Sequence, residues 1–223
     1  MLKKSAVLLM IAAAVSGCSH NQDDGQQSAA RAQAKANWDT KDPAFTAETR
    51  FAAGQLAESQ ENFDGALHQY EAALKIDPKH MPSLYRSGVL YSQTKRYPQA
   101  IEMWKRYVAA NNGSAIACSN LGFCYELAGN PNEAEIAYKK GVAKDPENRS
   151  CRVNYGLMLA RHGRISEATL QLQSVLTEAE VHYNLASIYE QQGRKEAAKA
   201  EYRQAIQLDP SMQDAQMKLS ALQ

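Results

Sequence analysis

The stretch Ala179 to Pro210, AEVHYNLASIYEQQGRKEAAKAEYRQAIQLDP, decides the fold. It predicts two helices, Ala179 to Gln192 and Lys195 to Leu208, with a turn at Gly193-Arg194 between them. Leu185, Ala186 and Tyr189 recur at three- and four-residue spacing, as do Ala198, Tyr202, Ala205 and Ile206, so each helix carries one stripe to bury. Pro210 lacks the amide that would continue the second helix and ends it. A lone hairpin leaves its outer stripe in water, so the stretch calls for neighbouring copies of itself.

Those copies lie upstream. Small residues stand at Gly54, Gly88, Gly122, Gly156 and Ala186, and a second series runs Ala66, Ala100, Ala134, Ala168 and Ala198. Both series step by 34, 34, 34 and then 30 residues. The pattern resembles the tetratricopeptide repeat, a 34-residue helical hairpin with small residues at positions 8, 20 and 27, aromatics at 11 and 24, and proline at 32. Ala186, Tyr189, Ala198, Tyr202, Ala205 and Pro210 fill all six places. The resemblance implies an all-α, right-handed solenoid of five hairpins, at about 47–80, 81–114, 115–148, 149–178 and 179–212, with a capping helix at 213–223. Asp42-Pro43 reads as the start signal of the whole repeat domain, 43–223.

Departures from the pattern carry their own expectations. Position 24 is Tyr70, Trp104, Tyr138 and Leu172, and position 32 is Pro78 and Pro146 but Asn112 in the second repeat. Gly141 replaces alanine at position 27 of the third. The fourth repeat has lost four residues, so its second helix is expected to end near Leu176. Thr177-Glu178-Ala179-Glu180 has the form of a capping box that starts the next helix at once. That junction should be tighter than the others or set at a different angle.

The N-terminus has a different character. Lys3-Lys4 precede an apolar run, Ala6 to Val15, and Val15-Ser16-Gly17-Cys18 follows. The run is about ten residues, short of the roughly 20 that span a bilayer, and reads as a signal peptide over 1–17. Val-Ser-Gly-Cys resembles the bacterial lipoprotein box, which implies that Cys18 is lipidated and becomes the first mature residue. Ser19 after it implies the periplasmic face of the outer membrane. Residues 18–42, rich in Gln, Asn, Asp and Ala, read as a tether, with helix-favouring composition from Ser28 to Trp38. Removing 1–17 takes Lys3 and Lys4 and no acidic residue, moving the formal charge from +1 to −1. With no basic stripe, nucleic acid is not an expected partner.

No catalytic constellation is visible. The five histidines, His20, His68, His80, His162 and His182, lack metal-ligand spacing, and no glycine-rich phosphate loop occurs. His182 is expected to pack in the core or an interface, and Glu133 and Glu135 to form a solvated outer face. No enzyme activity, metal or cofactor is expected. Cys118, Cys124 and Cys151 remain after Cys18, read as small buried hydrophobes or as partners in an intermolecular bridge.

The family's geometry implies a concave face built by the first helices through positions 2, 5, 6, 9, 12 and 13. Position 6 is Asn120, Asn154 and Asn184 in the last three repeats, an amide ladder able to bond an extended peptide backbone or to serve its own helices. Tyr85, Val89, Phe123, Val153, Leu157 and Tyr183 would line the groove, with Glu126, Arg161 and Glu190 beside them. Phe51 and Gln55 stand where a lysine and an asparagine would begin a chaperone-tail clamp, so that activity is not implied. The short fourth repeat, the Glu-Val-His-Tyr-Asn-Leu motif and the lipoprotein box resemble repeat lipoproteins of tight-adherence pilus assembly. The expected function is a membrane-anchored periplasmic scaffold that binds a protein or peptide in its groove. The alternative is a structural lipoprotein that steadies an envelope complex through its convex or end faces.

Overall fold

The structure is a computed structural model and describes residues 45–222. The signal peptide, Cys18, the tether with Trp38, and Asp42-Pro43 lie outside the described residues. Helices α1 (Ala47–Ser59) and α2 (Phe63–Ile76) form the first hairpin, α3 (Met81–Gln93) and α4 (Tyr97–Ala110) the second, α5 (Ala115–Leu127) and α6 (Pro131–Lys144) the third. The fourth is α7 (Arg149–Arg161) with α8 (Ile165–Gln173), the fifth α9 (Glu178–Gln191) with α10 (Lys195–Leu208), and α11 (Gln213–Ala221) packs on α10 as the cap. The described residues contain helices and turns and no strand. This is the five-hairpin repeat array expected from the spacing.

Local chemistry explains the boundaries. Thr46, Asn62, Ser114, Asn148 and Thr177 each accept a hydrogen bond from a backbone amide in the first turn of the helix that follows, and the His80 ring nitrogen does the same for Ser83. Each hairpin turns through one left-handed residue. In the last three hairpins it is Gly129, Gly163 or Gly193, whereas Glu61 and Lys95 hold that conformation, at φ 59° each, in the first two.

The packing positions are where the spacing placed them. Ala66, Ala100, Ala134, Ala168 and Ala198 are fully buried, as are Tyr70, Tyr138, Leu172 and Tyr202. A Cβ built on Gly122 would lie 2.9 Å from the Tyr138 ring, and one on Gly88 2.7 Å from Trp104, so position 8 is small because residue 24 occupies the space. Gly141 has a similar cause: a Cβ there would lie 2.6 Å from the Cys151 sulfur and 3.1 Å from the Cys118 Cβ. Cys118, Cys124 and Cys151 are all buried and unbridged among the described residues. Burial raises all three thiols, Cys151 to about 11.

Two expectations need correction. Helix α8 ends at Gln173, three residues before Leu176, and past it Val175 and Leu176 both bond the Leu172 carbonyl in a closing turn. A four-residue connection, 174–177, is therefore kept, and the missing turn comes out of α8, nine residues against fourteen in α6. Glu135 is not a solvated outer-face residue, although Glu133 is exposed. Glu135 accepts hydrogen bonds from Arg164 at 2.7 and 3.1 Å and from the Tyr155 hydroxyl at 3.0 Å, and it pairs with Lys139 at 2.8 Å. These donors, Arg164 foremost, hold its carboxyl down at about 2. His182 is half-buried as a pairing residue, its Nδ1 2.6 Å from the Glu201 carboxylate.

Candidate functional site

The first helices of the later repeats lie side by side, α5 against α7 and α7 against α9, and present one continuous face. Its charged groups are almost all held by the array itself. The Tyr70, Tyr138 and Tyr202 hydroxyls donate to Glu58, Glu126 and Glu190 at 2.8, 2.6 and 2.7 Å. Each carboxylate also receives a cation from a later repeat or the cap: Arg86 for Glu58, Arg161 for Glu126 at 2.7 Å, and Lys218 for Glu190 at 3.2 Å. Arg149 likewise meets Glu180. The Glu–Tyr pair recurs in repeats 1, 3 and 5, while repeat 2 substitutes Ser92 with Trp104, bonded at 3.3 Å, and repeat 4 the apolar pair Ala160 and Leu172. Residues 12 and 24 of each hairpin therefore change together. A carboxylate facing the buried position-24 side chain is kept where that side chain offers a hydroxyl.

The expected groove residues divide into three groups. Val89, Val153, Leu157 and Tyr183 are half-buried and lean on the core, the Tyr183 ring against Tyr202 at 5.7 Å between centroids. Tyr85 stands edge-on to Trp104 and Tyr107, at 5.4 and 5.7 Å, and remains partly exposed. Phe123 is 46% exposed. The asparagine ladder is partly committed inward: the Asn154 amide donates to Ser119 Oγ at 3.0 Å across the repeat boundary, and the Asn184 amide donates to the Glu180 carbonyl at 2.8 Å in its own helix. Each of those two amide groups keeps its carbonyl oxygen and one N–H for a ligand. Arg161, also expected in the groove, is the partner of Glu126.

Two residues were missing from that selection. Ile116 is 54% and Leu127 41% exposed, and both lie on α5 with Asn120 and Phe123. The spacing 116, 120, 123, 127 is one helical stripe. They occupy positions 2 and 13 of the third repeat, so the register contained the signal. Apolar surface is thus concentrated on α5. The neighbouring repeats 1 and 2 offer instead a polar cavity of about 440 Å³ lined by Gln55, Glu58, Ser59 and Arg86. Among the described residues no group of three or more His, Cys, Asp or Glu side chains is placed to hold a metal ion, and no helix is long and apolar enough to cross a membrane. This face is equipped to bury apolar side chains and bond a polypeptide backbone.

Solved structures of similar fold include YrrB, described as a tetratricopeptide-repeat protein with an unusual peptide-binding site, at 23% identity and TM-score 0.56, covering 83% of this chain and 96% of that one. MamA is similar at 22% identity and TM-score 0.58, covering 72% and 90%. PilW, described as a widely conserved type IV pilus biogenesis factor, is similar at 20% identity and TM-score 0.57, covering 72% and 76%. Among curated sequences, the general transcriptional corepressor ssn6 of Schizosaccharomyces pombe is 28% identical over 118 residues, which are 52% of this chain and 11% of that protein. Anaphase-promoting complex subunit 3 of the same organism is 22% identical over 160 residues, 70% of this chain and 24% of that protein. The chain spans a tenth to a quarter of the length of these relatives. Family profiles described as tetratricopeptide repeat match residues 51–115, 115–148 and 179–212, together more than half of the chain. With its five hairpins and its packing positions in register, the chain belongs to the tetratricopeptide repeat family.

Proposed function

We propose that the protein is a membrane-anchored scaffold whose first-helix face takes a polypeptide segment carrying uncharged apolar side chains. The observation that carries this reading is the stripe Ile116, Phe123 and Leu127, exposed on a face where Glu58, Glu126 and Glu190 are already neutralised from within. Burying one such side chain contributes about 1.5–3 kcal/mol, so two or three anchors suffice for a specific complex. Tetratricopeptide repeat arrays are protein-interaction scaffolds, which fits this site. Because the charges are paired, partner binding should change little with salt.

Cys18 is the proposed lipid anchor, and the outer membrane's periplasmic face the proposed location. Both rest on the Val15-Ser16-Gly17-Cys18 box and Ser19. The likeness to the pilus factor PilW is one of fold, so a role in pilus, secretion or envelope assembly rests on the lipoprotein box and the short fourth repeat. A second reading, docking through the outer faces, draws on Ile136 and Leu170, which are 68% and 67% exposed on second helices.

A photo-crosslinking residue placed at Phe123, and separately at Ile136, in cells tests the two readings. The groove reading expects an adduct at Phe123 that disappears in Ile116→Asp and persists in Leu170→Asp. Adducts at Ile136 with none at Phe123 would overturn it. Cys18→Ser should abolish incorporation of labelled fatty acid. Equal labelling of the variant would remove the anchor.

A further inference from the structure

The buried hydrophobic side chains of the array fall into three clusters. One, around Tyr70, Leu90 and Trp104, takes in repeats 1 and 2 and reaches into α5 through Cys124, and another, around Tyr138, Tyr155, Leu172 and Tyr202, takes in repeats 3 to 5. Between them lies a small third cluster of Val108, Ala117 and Cys118. The connection here is Asn111-Asn112-Gly113-Ser114, with Asn112 at φ 49° and Gly113 at φ 67°. At the three Asp-Pro connections the aspartate side chain accepts from the backbone amide two residues on, at Asp77, Asp145 and Asp209.

A cleft opens beside this connection. Two surface cavities, of about 440 and 230 Å³, share Val108, Leu121 and Lys140 and run between α4, α5 and α6. The larger of the two lies within the range of volumes that ordinary ligand sites occupy. The floor is apolar. Lys105 stands at one end, Glu133 and the exposed Ile136 at the other, and exposed Lys140, which borders both cavities, between them. Lys139, Lys199 and Lys218 are in ion pairs, whereas Lys105 and Lys140 enter none among the described residues. The Lys140 stem passes over Gly113, where an added Cβ would lie 3.5 Å from its Cε. The lysine stems thus extend the apolar wall while their ammonium groups stay at the mouth.

We propose that this cleft is a second docking site, on a face other than the first-helix stripe, for a partner-protein segment in which apolar side chains are followed by carboxylates. The apolar side chains enter beside Ile136, Tyr125 and Leu121, and the carboxylates pair with Lys140 and Lys105. Glu133 repels a carboxylate at the opposite end and so sets the direction in which the segment lies. The charge pattern distinguishes this site from the first-helix face, where the corresponding charges are internally paired.

Fluorescence anisotropy of a labelled Leu-Ile-Leu-Gly-Asp-Asp peptide against the full chain tests the proposal. Saturable binding is expected, weaker at 0.15 M than at 0.01 M salt as the Debye length shortens from about 30 to about 8 Å. Replacing the two aspartates by asparagine and amidating the C-terminus should weaken binding about tenfold, a change of about 1.4 kcal/mol. The surface double variant Lys105→Glu with Lys140→Glu should do the same. Ala109→Trp, exposed at the rim, should occlude the cleft. Glu133→Gln should bind as well or better. No saturable binding up to about 1 mM, equivalent to only about −4 kcal/mol, would overturn the proposal. So would equal affinity for the neutral peptide, or loss in Phe123→Ser, which would move the peptide to the first-helix face. Dodecanoate displacing the peptide at equal concentration would assign the cleft to an acyl chain and sink the peptide reading.

Discussion

The junction between repeats 2 and 3 and the junction between repeats 4 and 5 both lack the Asp-Pro connection, with opposite outcomes. The first keeps its full length but turns through left-handed Asn112 and Gly113, and the clusters divide just beyond it on α5, where Cys124 joins the first and Ala115 the second. The second has lost four residues, yet Val181, Leu185 and Ala186 belong to the same cluster as Tyr155 and Leu172. Its capping box closes fully: Glu180 accepts from the Thr177 amide at 2.8 Å, and the Thr177 hydroxyl accepts from the Glu180 amide at 3.3 Å. Arg149, from the start of the previous hairpin, donates to the Val175 carbonyl at 3.0 Å and to Glu180 at 2.5 Å. Continuity of the array therefore follows buried side chains reaching across a boundary, and chain length at the connection matters less.

The largest expected effect separates the two halves. Leu172→Ala empties a fully buried site in the continuous core and should cost about 2–5 kcal/mol. Val108→Ala, beside the cleft, should cost nearer about 1 kcal/mol, because its surroundings can collapse. Trp104 reports on the first half alone in a Trp38→Phe background, as the sequence has two tryptophans. Urea unfolding of Leu172→Ala should then lose helical circular dichroism before Trp104 fluorescence changes. Superimposable transitions would show that the division into clusters does not uncouple the halves.

Asn112→Pro sharpens the contrast from the other side. The repeat pattern favours proline there, but a fixed φ near −65° cannot reach the observed 49°. Destabilisation of about 1–3 kcal/mol is expected in a thermal melt, and stabilisation would mean that the left-handed turn is dispensable. Glu135→Gln tests the contact between repeats 3 and 4. Its carboxyl is held at about 2 against an ordinary 4.5, so its contribution is complete above the ordinary value and is lost as pH falls from about 4.5 toward 2. The variant should be less stable by about 1–2 kcal/mol at pH 7, with the difference closing toward pH 2. Equal deficits at both ends would assign the effect to packing. Thr177→Ala should cost least, about 1 kcal/mol, by removing one cap from a junction that Arg149 also holds.

The candidate site was only partly legible before folding. Position numbering carried Phe123 and Tyr85, and it contained Ile116 and Leu127, which the helical stripe makes obvious once α5 is seen whole. It could not show that Arg161 pairs with Glu126 from 35 residues away, since nothing local links them. Nor could it show that the Asn154 amide is engaged by Ser119. Glu135 was misread for the same reason: a lone charge on a helix looks solvated until its donors on other helices are placed.

Period and residue size by themselves determined the five hairpins, the cap, the buried alanine and aromatic series and the capping box. These depend on contacts within about one repeat, where a helix places side chains at known angles. Tertiary structure alone decided which charges are neutralised, where the core divides, and that a cleft opens between Lys105 and Glu133. Those outcomes depend on side chains from two or three hairpins meeting at distances that no single period encodes.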